Sequence, residues 1–128
     1  MKNQSNVEIT DDPIVMYLIV RESLGMSPGK LAAQCSHATQ ILLVNYFNHQ
    51  LKVKDTFTQW LQTNCRKVVL SATEKDWLKL RAEFVPTQGI VVTDAGLTEI
   101  PSGSETVLGL YPMHKSQRTK ILKWLPAL

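Results

Sequence analysis

Residues 14 to 37 read IVMYLIVRESLGMSPGKLAAQCSH: an apolar run from Ile14 to Val20, a loop carrying Gly25, Ser27, Pro28 and Gly29, and the opening of a helix. The run holds only Val, Ile, Leu, Met and Tyr, so it predicts a strand covered on both faces, as in the middle of an α/β sheet. Ser27 is the expected N-cap and Pro28 the expected first helical residue, with the helix running to about Asn48. At helical spacing Lys30, Gln34 and His37 share one polar face, while Leu31, Cys35, Ala38 and Leu42 form an apolar stripe. A polar helix face beside a strand-end loop is a candidate site, and its chemistry needs a partner from elsewhere.

The chain has 128 residues, 44% of them hydrophobic and 20% charged, which suits one globular domain with its own core. Residues 1–12 are polar and aperiodic and read as a flexible N-terminal tail, leaving 13–128 as a single domain. That opening has neither an apolar signal-peptide region nor an Arg-rich amphipathic pattern, and no apolar run is long enough to span a bilayer. The expected place is the cytoplasm, away from membranes, with Cys35 and Cys65 as reduced thiols. The formal charge is only +3, but no acid follows Glu105, whereas Lys115, Arg118, Lys120 and Lys123 do. Such asymmetry suits a phosphate-rich partner, but from charge alone a solvated helix face is the favoured reading.

Outward from the first strand, Thr56 to Thr63 places Phe57, Trp60 and Leu61 at helical spacing, with Trp60 read as core. Arg66 to Ser71 is a second strand. Thr73 and Asp76 form an acidic capping box before a helix from Glu74 to Phe84. Short strands follow at Ile90–Thr93 and Thr106–Tyr111, and a last amphipathic helix at His114–Leu125 turns Ile121, Leu122, Trp124 and Leu125 inward. The order βααβαββα predicts an α/β fold of three layers, a mixed four-stranded sheet covered by helices on both faces.

The second informative stretch is TDAGLTEIPSGSET, Thr93 to Thr106. Asp94 ends an apolar strand, and Thr98, Ser102, Ser104 and Thr106 supply hydroxyls in a turn-rich loop. In α/β sheets functional groups gather beyond strand ends, so Asp94 can face Lys30 as a charge pair in a cleft, or simply close an Asx-turn. Cys35 and His37 lie two apart on a helix and point in different directions, which argues against a thiol nucleophile. Cysteine and histidine are scattered without metal-ligand spacing, and the SPGK segment lacks the remaining residues of a phosphate-cradling loop.

Three blocks, YLIVRESLGMSPGKLAAQCSHA (Tyr17 to Ala38), RKVVLSA (Arg66 to Ala72) and TDAGLTEIPSGSETVLGLYP (Thr93 to Pro112), strongly resemble the archaeal and eukaryotic type of peptidyl-tRNA hydrolase. The resemblance implies hydrolysis of the ester joining a peptide to the terminal ribose of tRNA, no metal or other cofactor, a peptidyl-tRNA substrate and a homodimer. It implies Lys30, Asp94, Thr98 and Thr106 as catalytic residues, with Gln34, His37 and Ser104 supporting them. Lys115, Arg118 and Lys120 are the expected tRNA contacts. The chain departs from the family at Pro28 and Leu97, where the family usually carries positive charge, and at Tyr111, usually glycine. A binding-only relative and an esterase for smaller acyl groups are the alternative readings; retention of Lys30, Asp94, Thr98 and Thr106 together argues against the first.

Overall fold

The computed structural model describes residues 11–48, 54–96 and 99–128. Five strands are present: β1 (Ile14–Arg21), β2 (Lys67–Ala72), β3 (Gly89–Thr93), β4 (Glu105–Leu110) and β5 (Met113–His114). The helices are α1 (Pro28–Asn48), α2 (Lys54–Gln62), α3 (Glu74–Phe84) and α4 (Lys120–Trp124). The main sheet runs β2-β1-β4-β3, with β2 parallel to β1 and the other neighbours antiparallel, so it is mixed as expected. Among the described residues no helix is long and apolar enough to cross a membrane.

Strand β1 has no polar face. Val15, Tyr17 and Ile19 point into one core with Trp77, Leu80 and Phe84 of α3 and Leu122 of α4. Met16, Leu18 and Val20 point into the other, with Ala38 and Leu42 of α1 and Phe57 and Trp60 of α2. Successive side chains of a strand face opposite ways, so this double burial is what produces three layers. Trp60 is core, and its indole N–H donates to the Arg66 carbonyl at 2.8 Å.

Local capping follows the residue types. The Lys30 amide donates to the Ser27 hydroxyl at 3.4 Å, and the Asp76 amide to that of Thr73 at 3.3 Å. The end of the chain departs from expectation. In place of one helix over His114–Leu125, β5 pairs with Ile14 and Val15, a 3₁₀ turn spans Lys115–Gln117, and α4 covers only Lys120–Trp124. Side chains divide the segment: Gln117 accepts from the His114 amide at 2.8 Å, and Thr119 restarts the helix by accepting from Leu122 N. Trp124 is correspondingly on the outside, 77% exposed. The last residues then extend the sheet, with Ser71 N donating to Pro126 O and Leu128 N to Val69 O, both at 2.9 Å.

The expected N-terminal tail falls mostly outside the described residues, but Asp12 is engaged. Its carboxylate accepts from the amide and hydroxyl of Ser116, both at 2.8 Å.

Helix α1 lies against β4 at Gly109. A Cβ there would come within 3.1 Å of Leu42 Cδ1 and 3.2 Å of the Ala38 Cβ. Gly109→Val is therefore expected to push α1 off the sheet and cost about 1–3 kcal/mol, as overpacking of a filled core does, read as a fall in denaturant midpoint. A variant as stable as the parent would refute the close approach.

Candidate active site

The cleft forms where the first turns of α1 meet the ends of β3 and β4. Lys30 and Gln34 are one turn apart and both reach Asp94, which follows β3 directly. The Lys30 ammonium pairs with Asp94 Oδ1, and the side chains are only 9% and 4% exposed. Gln34 Nε2 stands 3.4 Å from the same oxygen. The other oxygen, Oδ2, accepts from Gly96 N at 2.6 Å. The charge pair and the Asx-turn, open alternatives from sequence, are both present, one on each carboxylate oxygen.

Gly96 is required for this turn. Its φ is +79°, and a Cβ there would sit 2.4 Å from Ser102 Cα. The loop is braced further by Asp94 N to Ser104 O at 2.8 Å and Gly103 N to Asp94 O at 2.9 Å.

Gln34 is buried, not on a solvated polar face. Its amide has work on both sides: Nε2 faces Asp94, and Oε1 accepts from the Thr106 hydroxyl at 2.6 Å. Thr106 is fully buried, so its hydroxyl holds Gln34 and does not open onto the cleft. The Lys30 hydrogen bond holds the Asp94 carboxyl below its ordinary value, with burial opposing and the Gly96 amide adding to the fall. Asp94 is thus a fixed anion at neutral pH and a weak proton acceptor.

His37 lies exposed on the cleft wall, one turn beyond Gln34. Ser104 Oγ donates to Pro101 O at 2.7 Å and serves the loop. Leu97 and Thr98 lie outside the described residues. Lys115 and Arg118 are not brought to the cleft. Lys115 N donates to Pro13 O at 2.8 Å, at the start of β1, roughly 20 Å along the strand from Arg21 at the site end. Lys120 opens α4, in the opposite helical layer.

Two features escaped the sequence. Glu99 crosses the mouth of the cleft to accept from Ser27 N at 2.7 Å and Ser27 Oγ at 2.8 Å, tying the loop to the start of α1. The Ser27 amide and then its hydroxyl lower the Glu99 pKa, against the effect of burial. At the neighbouring sheet edge Arg81 grips both Glu105 oxygens at 2.6 and 2.7 Å. Arg21 donates to the Glu105 carbonyl at 3.3 Å while pairing with Glu74, so the residue before Thr106 is held from two sides. Only the separate charges were visible in sequence; the partners are 24 to 84 residues apart.

The resulting cleft is open, about 520 Å³, and lined by Gly29, Lys30, Gln34, His37, Asp94 and Glu99 among others. Pro28 begins α1 and is exposed on its other side, against an apolar groove. Tyr111 is buried among the α1 and α2 packing, its hydroxyl accepting from Asn45 Nδ2 at 3.1 Å. Neither residue lines the Lys30–Asp94 cleft.

A family model described as peptidyl-tRNA hydrolase PTH2 matches residues 14–128. A peptidyl-tRNA hydrolase of Saccharolobus islandicus is 32% identical over 103 residues, 77% of this chain and 86% of that protein. Peptidyl-tRNA hydrolase 2 of Saccharomyces cerevisiae is 37% identical over 111 residues, 79% of this chain and 51% of the yeast protein. A probable peptidyl-tRNA hydrolase 2 of Dictyostelium discoideum is 35% identical over 111 residues, 84% and 51% of the two chains. With the match reaching from the start of β1 to the last residue, the chain belongs to the peptidyl-tRNA hydrolase PTH2 family.

Proposed function

We propose that residues 13–128 act as a single-domain hydrolase that cleaves the ester between peptide and tRNA, with Lys30 and Asp94 at the reacting centre. The observation that carries this is the buried Lys30–Asp94 pair in the wall of an open cleft. Water adds to the ester carbonyl, the carbon–oxygen bond to the ribose breaks, and the proton that the water gives up passes to the ribose oxygen, which leaves as a hydroxyl. The products are a free peptide acid and tRNA. An ammonium has three N–H donors, and Asp94 engages one, so Lys30 retains donors for the developing oxyanion. Asp94, held as an anion, anchors that ammonium and orients water. Gln34 and Thr106 keep Asp94 in register, and His37 lines the path of the substrate. Thr98 is assigned a catalytic role from its place in the family motif alone.

Lys30→Ala and Asp94→Asn should each lower turnover of a peptidyl-tRNA mimic by about 100-fold or more, the scale of losing an oxyanion donor or its anchor, while circular dichroism stays native. Near-parental rates in both variants would refute the assignment. Glu99→Ala unties the loop from Ser27 and should lower kcat by about tenfold, as misplacement of groups does, with KM little changed. Retained kcat would make that contact dispensable.

The protein is further assigned as a homodimer, and its place as the cytoplasm, where Cys35 and Cys65 stay reduced. Support for the dimer lies on the outer side of α1, where Val44 and Phe47, 71% exposed, border a groove lined by Leu18, Cys35, Leu43 and Val69. Phe47→Glu should shift the sedimenting species to half the mass. An unchanged mass would place the interface elsewhere.

A further inference from the structure

Trp124 is the outlier of the surface. The chain has three tryptophans; Trp60 and Trp77 are each 1% exposed, and Trp124 is 77% exposed. Tryptophan is on average a highly buried side chain, so a ring left this far in water is open to a partner. On α4, Lys120, Lys123 and Trp124 stand at i, i+3 and i+4, hence on one face, while Leu122 and Leu125 on the opposite face are buried. Among the described residues neither lysine has an ion-pair partner. No acid occurs anywhere from Thr106 to Leu128.

The sheet places this face relative to the cleft. Pro126, two residues on, bonds Ser71, and Ser71, Val20, Val107 and Val92 then form one row across the sheet. From Pro126 to Val92 there are four strand spacings, about 19 Å, and the row ends two residues short of Asp94. Trp124 is therefore at the end of the sheet where the cleft opens, a span that a few nucleotides of extended strand cover.

We propose that the Lys120–Lys123–Trp124 face is a nucleic-acid contact of the substrate: the indole stacks on an unpaired base of the tRNA, and the two lysines contact the flanking phosphates. This rests on the peptidyl-tRNA reading of the cleft and names a surface outside it. Charge complementarity selects a polyanion, and an exposed ring on the same helix face as two lysines selects one whose bases are open to stacking. Trp60, 1% exposed, is sealed in the core and offers no such surface.

The test titrates the full chain with deacylated tRNA and follows tryptophan fluorescence, whose solvent-exposed component comes from Trp124. Quenching on saturation is expected. Trp124→Ala should raise Kd about fivefold or more, and Trp124→Phe should recover most of the affinity. Lys120→Gln with Lys123→Gln should reduce the slope of log Kd against log salt by about 1 to 2. Heparin, a polyanion without bases, should bind parent and Trp124→Ala alike. Unquenched emission at saturation, tRNA binding within twofold of the parent in Trp124→Ala, or an equal loss with heparin would overturn the proposal. A changed sedimenting mass of free Trp124→Ala would assign the face to a second copy and also overturn it. Should the parent fail to hydrolyse peptidyl-tRNA yet show the quenching and its loss in Trp124→Ala, the reading of the cleft fails and this contact stands.

Discussion

Six consecutive residues of β1, Val15 to Val20, are each at most 3% exposed, so both faces of that strand must be covered for the chain to fold. The α1–α2 layer covers one face and the α3–α4 layer the other. With β2 and β4 hydrogen-bonded on its two sides, β1 is also the strand whose end sets where α1 begins. Gly109 lets α1 lie close on β4, and that approach puts the first turns of the helix beside the β3–β4 loop. The position of Lys30 is thus a consequence of how a doubly buried strand is packed.

The ion pair this creates would be costly without support. Burying a lysine and a carboxylate forfeits their hydration, and their attraction offsets the loss only when the remaining polar atoms are also satisfied. Here Gln34 and Gly96 serve the carboxylate, Thr106 serves Gln34, and among the described residues no buried side-chain nitrogen or oxygen lacks a partner. The network keeps a charged donor in place at a cleft wall. Its rigidity extends outward through Glu99 to the helix start and through Arg81 and Arg21 to the start of β4. The two helical layers differ in the surfaces they present, since the Lys30–Asp94 pair lies against α1 whereas the exposed lysine–tryptophan face belongs to α4.

Much of the fold was legible because the signals were local. The unbroken apolar run of β1, Ser27 and Pro28 at the helix start, and Thr73 before α3 each act within a few residues of themselves. The C-terminal segment departs from its helical period for a related reason. Ile121, Leu122 and Leu125 carry a helical period, but the competing side-chain caps at Gln117 and Thr119 and the pairing of Met113–His114 with β1 divide the segment. Half of that outcome depends on a strand about a hundred residues away, which periodicity does not register.

For the site, residue types and spacing were enough to single out Lys30, Gln34 and Asp94, because helical and strand-end positions carry their own geometry, whereas Thr106 stood out from the other loop hydroxyls only through the family resemblance. They were not enough to place them. Gln34 becomes a buried bridge only because Thr106 stands opposite, and Asp94 is lowered in pKa only because Lys30 is folded onto it. Glu99 is an ordinary loop carboxylate until Ser27, 72 residues away, comes within hydrogen-bond reach. The same holds for charge: Lys115, Arg118 and Lys120 follow one another in the chain, yet the sheet sends the first two to the end away from the cleft. Local preferences are written in neighbouring residues and survive any packing; burial, pairing and pKa belong to groups that meet only when distant segments share one core.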